Sequence, residues 1–315
     1  MTRALVIGGT GFLGAAACRE LMRRGVETVA ASRKPHPYGT FTSHVAFDRS
    51  DESELAAALE KVRPDHLVVL ACYQGPEVEA VIRRFRGERY VFVSTGVYPD
   101  LFLKGPAAED DFVPLEGPVP AEPQEYRQGK RWCETVLARS TGFPWTVIRP
   151  PAILGPADPT LRIAAYIQRV EDGGPLLVPA QSYQRQAGLA WVKDTGYAVA
   201  LAADRSRGRD GRAYNVAFDG VSLEDLIAGI GRGLGRQPRL VPILYADLPP
   251  DASPYGPDPR RSAGYVLDRS RTELGFEPSA LEDALAETLA WYMTARPSHP
   301  GYAGRARELE IAAGA

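Results

Sequence analysis

The sequence is poor in residues that build covalent or metal-held frameworks. Its 315 residues include three cysteines, Cys18, Cys72 and Cys133, far apart and with no CxxC pair. That spacing argues against a zinc knuckle or a disulfide scaffold and suits reduced thiols in a cytosolic protein. Four histidines are scattered, none in an HExxH pattern, so no metal site is predicted. Neither sign of charge dominates: 37 Lys and Arg face 39 Asp and Glu, for a net charge of -2. A general electrostatic nucleic-acid binder is therefore not expected. No apolar run approaches the roughly 18 residues of a membrane span, and the start, Met1 to Gly9, is too short in apolar residues for a secretory leader. The expectation is a soluble, cytoplasmic protein with a small-molecule partner.

What is present is ordinary globular material, 44% hydrophobic and 24% charged. Short apolar runs alternate with amphipathic stretches, which predicts β-α-β-α order and a parallel sheet. Strands are predicted at 4–7, 27–31, 45–47, 66–71, 90–93 and 145–149. The helices between them are predicted at 13–24, 53–61, 78–86 and 126–141, with Ser50 and Asp51 as capping candidates for the second. Residues 99–123 hold six prolines and read as a loop. Beyond Pro150-Pro151 the pattern loosens. Helices are predicted near 160–171, toward 203, from a Ser222 cap through 234, and at 281–292, with a short strand at 214–216. The tail from Arg296 has no assigned role beyond a short helix at 305–313.

Gly8-Gly9-Thr10-Gly11-Phe12-Leu13-Gly14 lies between the first strand and the first helix. Glycines there let backbone approach a pyrophosphate, and the helix start supplies unpaired N–H groups and a positive dipole end. Gly14 lets helix and strand pack closely. The position, after an apolar strand and opening a helix, favours a dinucleotide site over a merely tight turn. The second strand ends at Ser32-Arg33-Lys34. NAD sites usually place an acid where Ser32 stands, whereas Arg33 and Lys34 suit a 2′-phosphate. NADP is therefore favoured, with NAD as the alternative and a solvated turn as the bland reading of the two cations.

Tyr126 and Lys130 stand four apart on the long predicted helix and so share a face. A phenol near pKa 10 is a poor proton carrier at neutrality, and a nearby ammonium lowers that pKa. Ser94, at the end of the fifth strand, supplies a hydroxyl that can orient a substrate oxygen. Together these point to a proton exchanged with a hydroxyl or carbonyl oxygen.

In their order these motifs resemble the extended short-chain dehydrogenase/reductases of the NAD(P)-dependent epimerase/dehydratase family. The likeness also covers Phe47-Asp48, Leu70-Ala71, Ser94 to Tyr98, Arg149 to Pro156, and Glu273 to Pro278 followed by the 281–292 helix. It implies a Rossmann-type, doubly wound parallel sheet with a smaller, discontinuous C-terminal α/β substrate lobe. The nucleotide domain would be 1–150 with a return near 187–213, the lobe 151–186 and 214–295, and 296–315 a tail. Gly8, Thr10, Gly11, Phe12, Leu13 and Gly14 would hold the pyrophosphate, and Ser32, Arg33 and Lys34 the 2′-phosphate end. Asp48 would meet the adenine and Ala71 the ribose. Tyr126 would be the acid/base, Lys130 would bind the nicotinamide ribose and lower the Tyr126 pKa, and Ser94, four residues before Tyr98, would position the reacting oxygen.

Departures from the family bear on the substrate. Dehydratases carry an Asp-Glu pair after the Ser/Thr; here Thr95 and Gly96 stand there, so dehydration is disfavoured. Trp191-Val192-Lys193-Asp194 matches a family Val-x-Asp, but Ala187-Gly188 replaces the Arg-Asp pair before it. Arg185 could substitute, and Arg260-Arg261 falls where the family often binds phosphate. Tyr73, Thr95, Arg185 and Arg260 are thus substrate candidates. The implied function is an NADP-dependent oxidoreductase acting on a secondary alcohol or ketone of a sugar-like or nucleotide-sugar metabolite. The alternatives are an epimerase with retained NAD(P) and a non-catalytic NADP-binding scaffold. The family also implies a homodimer through a bundle including residues 126–141, with Trp132, Val136 and Leu137 either at the interface or in the core. Segments 99–125 and 175–190 are candidate lids.

Overall fold

The computed structural model describes residues 2–36, 39–102, 105–255 and 264–315. The first half alternates strand and helix: β1 (Arg3–Ile7), α1 (Phe12–Arg23), β2 (Glu27–Ser32), β3 (Ser43–Ala46), α2 (Glu52–Val62), β4 (His66–Val69), α3 (Gly75–Arg84) and β5 (Arg89–Val93). It continues with α4 (Tyr126–Arg139), β6 (Trp145–Arg149), β7 (Ala152–Leu154), α5 (Arg162–Glu171), β8 (Leu176–Pro179), β9 (Leu189–Trp191), α6 (Val192–Ala203) and β10 (Arg212–Asn215). Then follow α7 (Leu223–Leu234), β11 (Leu240–Ile243), α8 (Leu281–Ala295) and α9 (Arg305–Gly314).

Seven strands form one sheet in the order β10-β6-β5-β4-β1-β2-β3, and every pairing in it is parallel. This is the doubly wound arrangement predicted. The alternation of side chains along β1 explains its two covered faces. Leu5 and Ile7 pack toward α2, α3 and α4, while Ala4 and Val6 pack toward α1 and α6. Chain order reverses between β1 and β4, which opens a crevice at their carboxyl ends. Asp51, rather than Ser50, caps α2, accepting from the Ser53 and Glu54 amides.

A second core gathers α5, α7, α8 and the small β7-β9 sheet. The segment from 175 to 190, a candidate lid by sequence, carries regular structure. It contains the buried strand β8, paired with β11, and the buried strand β9. Strands this short are hidden by their prolines and glycines in sequence.

The 305–314 helix does have a structural place. Arg169 is fully buried, and its Nε and Nη2 reach the Glu308 carboxylate at 2.9 and 2.5 Å. Arg305 bridges Glu308 and Asp172. The tail thus closes over α5 and neutralises a buried cation. Among the described residues no helix is long and apolar enough to cross a membrane.

Candidate active site

The glycine loop works through backbone. Gly8 has φ +86°, and a Cβ there would meet the Ala71 Cβ at 3.2 Å. Gly14 is tighter: its Cβ would lie 2.1 Å from the Gly8 carbonyl oxygen. Gly11 is the N-cap of α1 and no side chain caps that end. A Cβ on Gly11 would find only the Gly8 oxygen, at 3.5 Å, so the loop is open on its crevice side. Thr10, Phe12 and Leu13 are half-buried around this opening. Backbone donors at a helix start, beside a crevice at the strand-order reversal, fit a pyrophosphate.

Next to the loop lies a cavity of about 190 Å³ lined by Gly8, Ser32, Arg33, Arg49, Ala71 and Tyr73, among others. Arg33 is exposed at its rim. The Ser32 hydroxyl donates to the Lys34 carbonyl at 2.8 Å and contacts His44 Nε2 at 2.9 Å, so it shapes the turn. Lys34 is exposed and does not line the cavity. Asp48 is also outside the lining; its Oδ1 accepts from the Ser50 amide and hydroxyl at 2.9 and 2.6 Å. Its neighbours Phe47 and Arg49 line the cavity instead. Arg49 lies 5.1 Å from the Tyr73 ring centre and 3.4 Å from Glu77. Nothing in the sequence pattern singles out Arg49, because its approach depends on the turn before α2.

A second cavity, of about 350 Å³, is lined by Phe12, Thr95, Tyr126, Ala152, Asp158 and Arg162, among others. Tyr126 opens α4 and keeps half its surface exposed. Its ring lies 6.0 Å from that of Tyr73, so Tyr73 stands between the two cavities. Gly129 makes the approach of α4 possible: a Cβ there would lie 2.0 Å from the Tyr73 carbonyl oxygen. A larger cavity, about 520 Å³, lies elsewhere, around Arg63, Asp65 and Arg86, and holds none of these residues.

Two of the expected catalytic residues have other defined partners. Ser94 is not among the residues lining the cavity that Tyr126 borders. It is buried, and its Oγ lies 2.9 Å from Tyr98 Oη, which donates onward to Glu134 Oε1 at 3.1 Å. Since Tyr98 spends its proton on Glu134, Ser94 is the donor of the first bond. Thr95 is the hydroxyl that lines the cleft with Tyr126. Counting back from Tyr98 points to Ser94, and alternation continued from Tyr90 and Phe92 also puts Ser94 on the face that α4 covers; Thr95 lies past the end of β5 at Val93, where the strand rule no longer applies.

Lys130 is buried on the same helix as Tyr126. Its Nζ donates to the Val93 carbonyl at 2.7 Å and sits 4.9 Å from the Tyr73 ring centre. Burial holds the Lys130 ammonium below its ordinary pKa. The Tyr126 phenol is pushed up by burial, opposed by the facing Thr95 hydroxyl and by the charge of Arg162, with no lowering by Lys130. At neutral pH Tyr126 is therefore a protonated phenol, a donor.

Behind these groups Glu134 and Arg149 form a buried pair, with Nε–Oε2 at 2.9 Å and Nη2–Oε2 at 2.5 Å. Arg149 Nη1 also holds the Glu109 carbonyl at 2.9 Å. Tyr126, Lys130 and Glu134 are spaced by four, so one stripe of α4 is tied to the ends of β5 and β6.

The loop before α4 is tied down along its length. Arg131 holds Asp100 and the Val113 carbonyl, Thr135 accepts from the Leu115 amide at 3.0 Å, and Arg139 holds the Gly117 carbonyl at 2.9 Å. Gln74 pairs with the Gln124 backbone. The segment lies as a strap over α4. Trp132, Val136 and Leu137 are all buried within the chain.

Among the remaining candidates, Arg185 is exposed and outside both cavities. Arg260 and Arg261 lie outside the described residues. Asp194 accepts from the Ser279 amide and hydroxyl at 2.8 and 2.6 Å and so fastens the chain before α8. No metal-binding group of His, Cys, Asp or Glu occurs among the described residues.

The family model described as NAD dependent epimerase/dehydratase family matches residues 4–82 and 77–217. Solved structures align over nearly the whole chain. UDP-glucose 4-epimerase of Thermotoga maritima, with UDP-glucose, has a TM-score of 0.69 at 20% identity and covers 94% of this chain and 100% of its own. The UDP-glucose 4-epimerase of Thermus thermophilus, in complex with NAD, gives 0.65 at 22% identity, covering 93% and 100%. The dTDP-glucose 4,6-dehydratase of Bacillus anthracis, in complex with NAD, gives 0.70 at 17% identity, covering 93% and 97%. No curated protein matches the sequence.

Proposed function

Because the chain belongs to the NAD dependent epimerase/dehydratase family, a family of enzymes, we propose that it is an NADP-dependent oxidoreductase acting on a secondary alcohol or ketone of a sugar-like metabolite. The observation that carries this reading is the pairing of Thr95 and Tyr126 in one cleft beside the glycine loop. The loop fits the cofactor because it presents uncapped helix-start amides to an open crevice. Gly8, Gly11, Gly14 and the Phe12 and Leu13 amides would hold the pyrophosphate, and Ala71 and Tyr73 would border the ribose. Arg33 would take the 2′-phosphate, with Arg49 as a second cation at the same cavity. When bound, the nicotinamide supplies the redox partner for the substrate carbon.

The chain's own residues handle the proton. Tyr126, a protonated phenol at neutral pH, donates to the oxygen of a carbonyl as it becomes an alcohol. Thr95 orients that oxygen. Lys130, bonded to Val93, fixes the α4 register against β5. Elimination of water finds little support: the acid at this cavity is Asp158, and its oxygens are held by Thr160. That leaves reduction or oxidation, with the retained-cofactor epimerase as a second reading.

The test is a screen of sugar-like ketones with NADPH, followed by Tyr126→Phe on any substrate found. The expected outcome is a loss of turnover of about 10² to 10⁴ with NADPH affinity unchanged. Turnover without net NADPH use would move the epimerase reading forward.

A further inference from the structure

Proton exchange at Tyr126 leaves one charged group of the cleft without a task. Arg162 opens α5 and lines the same cavity of about 350 Å³ as Tyr126 and Thr95. It is half-buried. Among the described residues its guanidinium has no carboxylate partner. Its defined neighbour is an aromatic face, the Tyr255 ring, with Cζ 6.0 Å from the centroid.

The acid nearest at hand is already taken. Asp158 is buried, and its two oxygens receive Thr160 Oγ1 at 2.7 and 2.8 Å, the Thr160 amide at 2.9 Å and Tyr255 Oη at 3.4 Å. Tyr255 in turn stacks on Tyr166, with ring centres 6.0 Å apart and planes 11° from parallel. The turn that carries Arg162 is bracketed by two non-glycine residues in the left-handed region, Ala157 at φ +65° and Leu161 at φ +53°. Such conformations cost on the order of 1 kcal/mol or more each and persist where surrounding contacts impose them. Asp158 holds the intervening turn through the Thr160 amide and hydroxyl, and α5 starts directly after Leu161 with Arg162 at the wall of the cavity.

Apart from the hydroxyls and the occupied Asp158, that wall is apolar, built by Phe12, Val97, Pro151, Ala152, Ile153 and Pro159. A low-dielectric surround strengthens the attraction of a guanidinium for an anion. Arginine also presents a planar fork that matches a carboxylate or phosphate. We propose that Arg162 binds an oxyanion, a carboxylate or a phosphate, carried by the substrate on the same sugar-sized skeleton as the carbon that reacts at Tyr126. This rests on the oxidoreductase reading of the cleft. The substrate is thus an acidic or phosphorylated hydroxy or keto compound, and Arg162 sets its orientation.

The experiment is calorimetric titration of the NADP-loaded protein with D-glucuronate, D-glucose 6-phosphate and D-glucose. Wild type, Arg162→Leu and Arg162→Lys are compared. The wild type binds at least one ionised sugar about tenfold more tightly than glucose, the scale of one charge-assisted hydrogen bond. Arg162→Leu erases the preference, and Arg162→Lys keeps part of it. Preference for glucuronate identifies a carboxylate; preference for glucose 6-phosphate identifies a phosphate. Equal binding of charged and neutral sugars, binding of none, or an unchanged preference in Arg162→Leu overturns the assignment. NADPH affinity, measured on the same samples, stays constant across the three proteins. A wild type that binds no NADPH overturns the oxidoreductase reading instead, and the sugar titrations of the nucleotide-free protein still decide the role of Arg162.

Discussion

At the nucleotide end of the cleft the decisive geometry is backbone; at the substrate end it is made by side chains from separate stretches of chain. Gly8, Gly11 and Gly14 act within seven residues; Gly8 and Gly14 are fixed by what a Cβ would strike, while Gly11 leaves the loop open to the crevice. Thr95, Tyr126 and Arg162 come from the end of β5, the start of α4 and the start of α5. Local backbone rules therefore describe the first end, and only tertiary packing describes the second. Breaking the two ends produces different failures.

The largest effect is expected at Gly14. Gly14→Val places a Cβ 2.1 Å from the Gly8 oxygen, with backbone on both sides of the clash. A loss above about 4 kcal/mol, the exceptional class for one substitution, or failure to fold, is expected in urea unfolding. A stably folded variant that still binds NADPH would show that the loop has another packing.

Glu308→Ala acts away from both ends of the cleft. It leaves Arg169, fully buried, without its carboxylate. Removing one partner of such a pair costs about 3–5 kcal/mol, read in denaturant midpoints. NADPH affinity measured well below the midpoint is expected to stay unchanged, because the damage lies in the second core.

Thr95→Ala and Ser94→Ala, one residue apart, separate chemistry from architecture. Thr95→Ala is expected to lower kcat by about 100-fold, the scale of one positioned donor, with little change in stability. Ser94→Ala removes a bond to Tyr98 and is expected to cost about 1 kcal/mol of stability while kcat stays within a few-fold. The reverse result would restore Ser94 as the positioning hydroxyl.

The smallest effect is in the pH profile. Burial raises the Tyr126 pKa above its ordinary value, so the phenol stays protonated through neutral pH. Carbonyl reduction is then flat across pH 6 to 9 in the absence of other titrations and falls only at higher pH. Alcohol oxidation, which needs the phenolate, rises with pH over the same range. A reductive rate that falls from pH 6 to 8 would mean that another group carries the proton.

This division also explains what the sequence made legible. The alternation of strand and helix, the parallel sheet and the glycine cradle follow from periodicity and local spacing, whereas the doubly wound strand order was legible only through the family resemblance. Ser222 was readable as a cap because Asp225 completes its capping box. Short strands such as β8 and β11 were not, since Pro175, Pro179 and Pro242 mask four-residue runs whose pairing is wholly non-local. Thr95 rather than Ser94 lines the cleft because of the course of the chain past the end of β5, which strand periodicity does not describe. The strap over α4 was unreadable for a similar reason: Arg131, Thr135 and Arg139 look like a solvated face until the proline-rich segment lies on them. Arg49 and Arg162 gain meaning only from the cavities they border.

The most direct measurement of the central claim is nucleotide identity and preference in the purified protein. The protein is denatured, any released nucleotide identified, and native protein titrated with NADPH and NADH, alongside Arg33→Ala. The account predicts an empty or NADP-bearing protein that binds NADPH at least about tenfold more tightly than NADH, the scale of one charge-assisted contact. Arg33→Ala should remove most of that preference. Stoichiometric, retained NAD with no preference for the 2′-phosphate would contradict it.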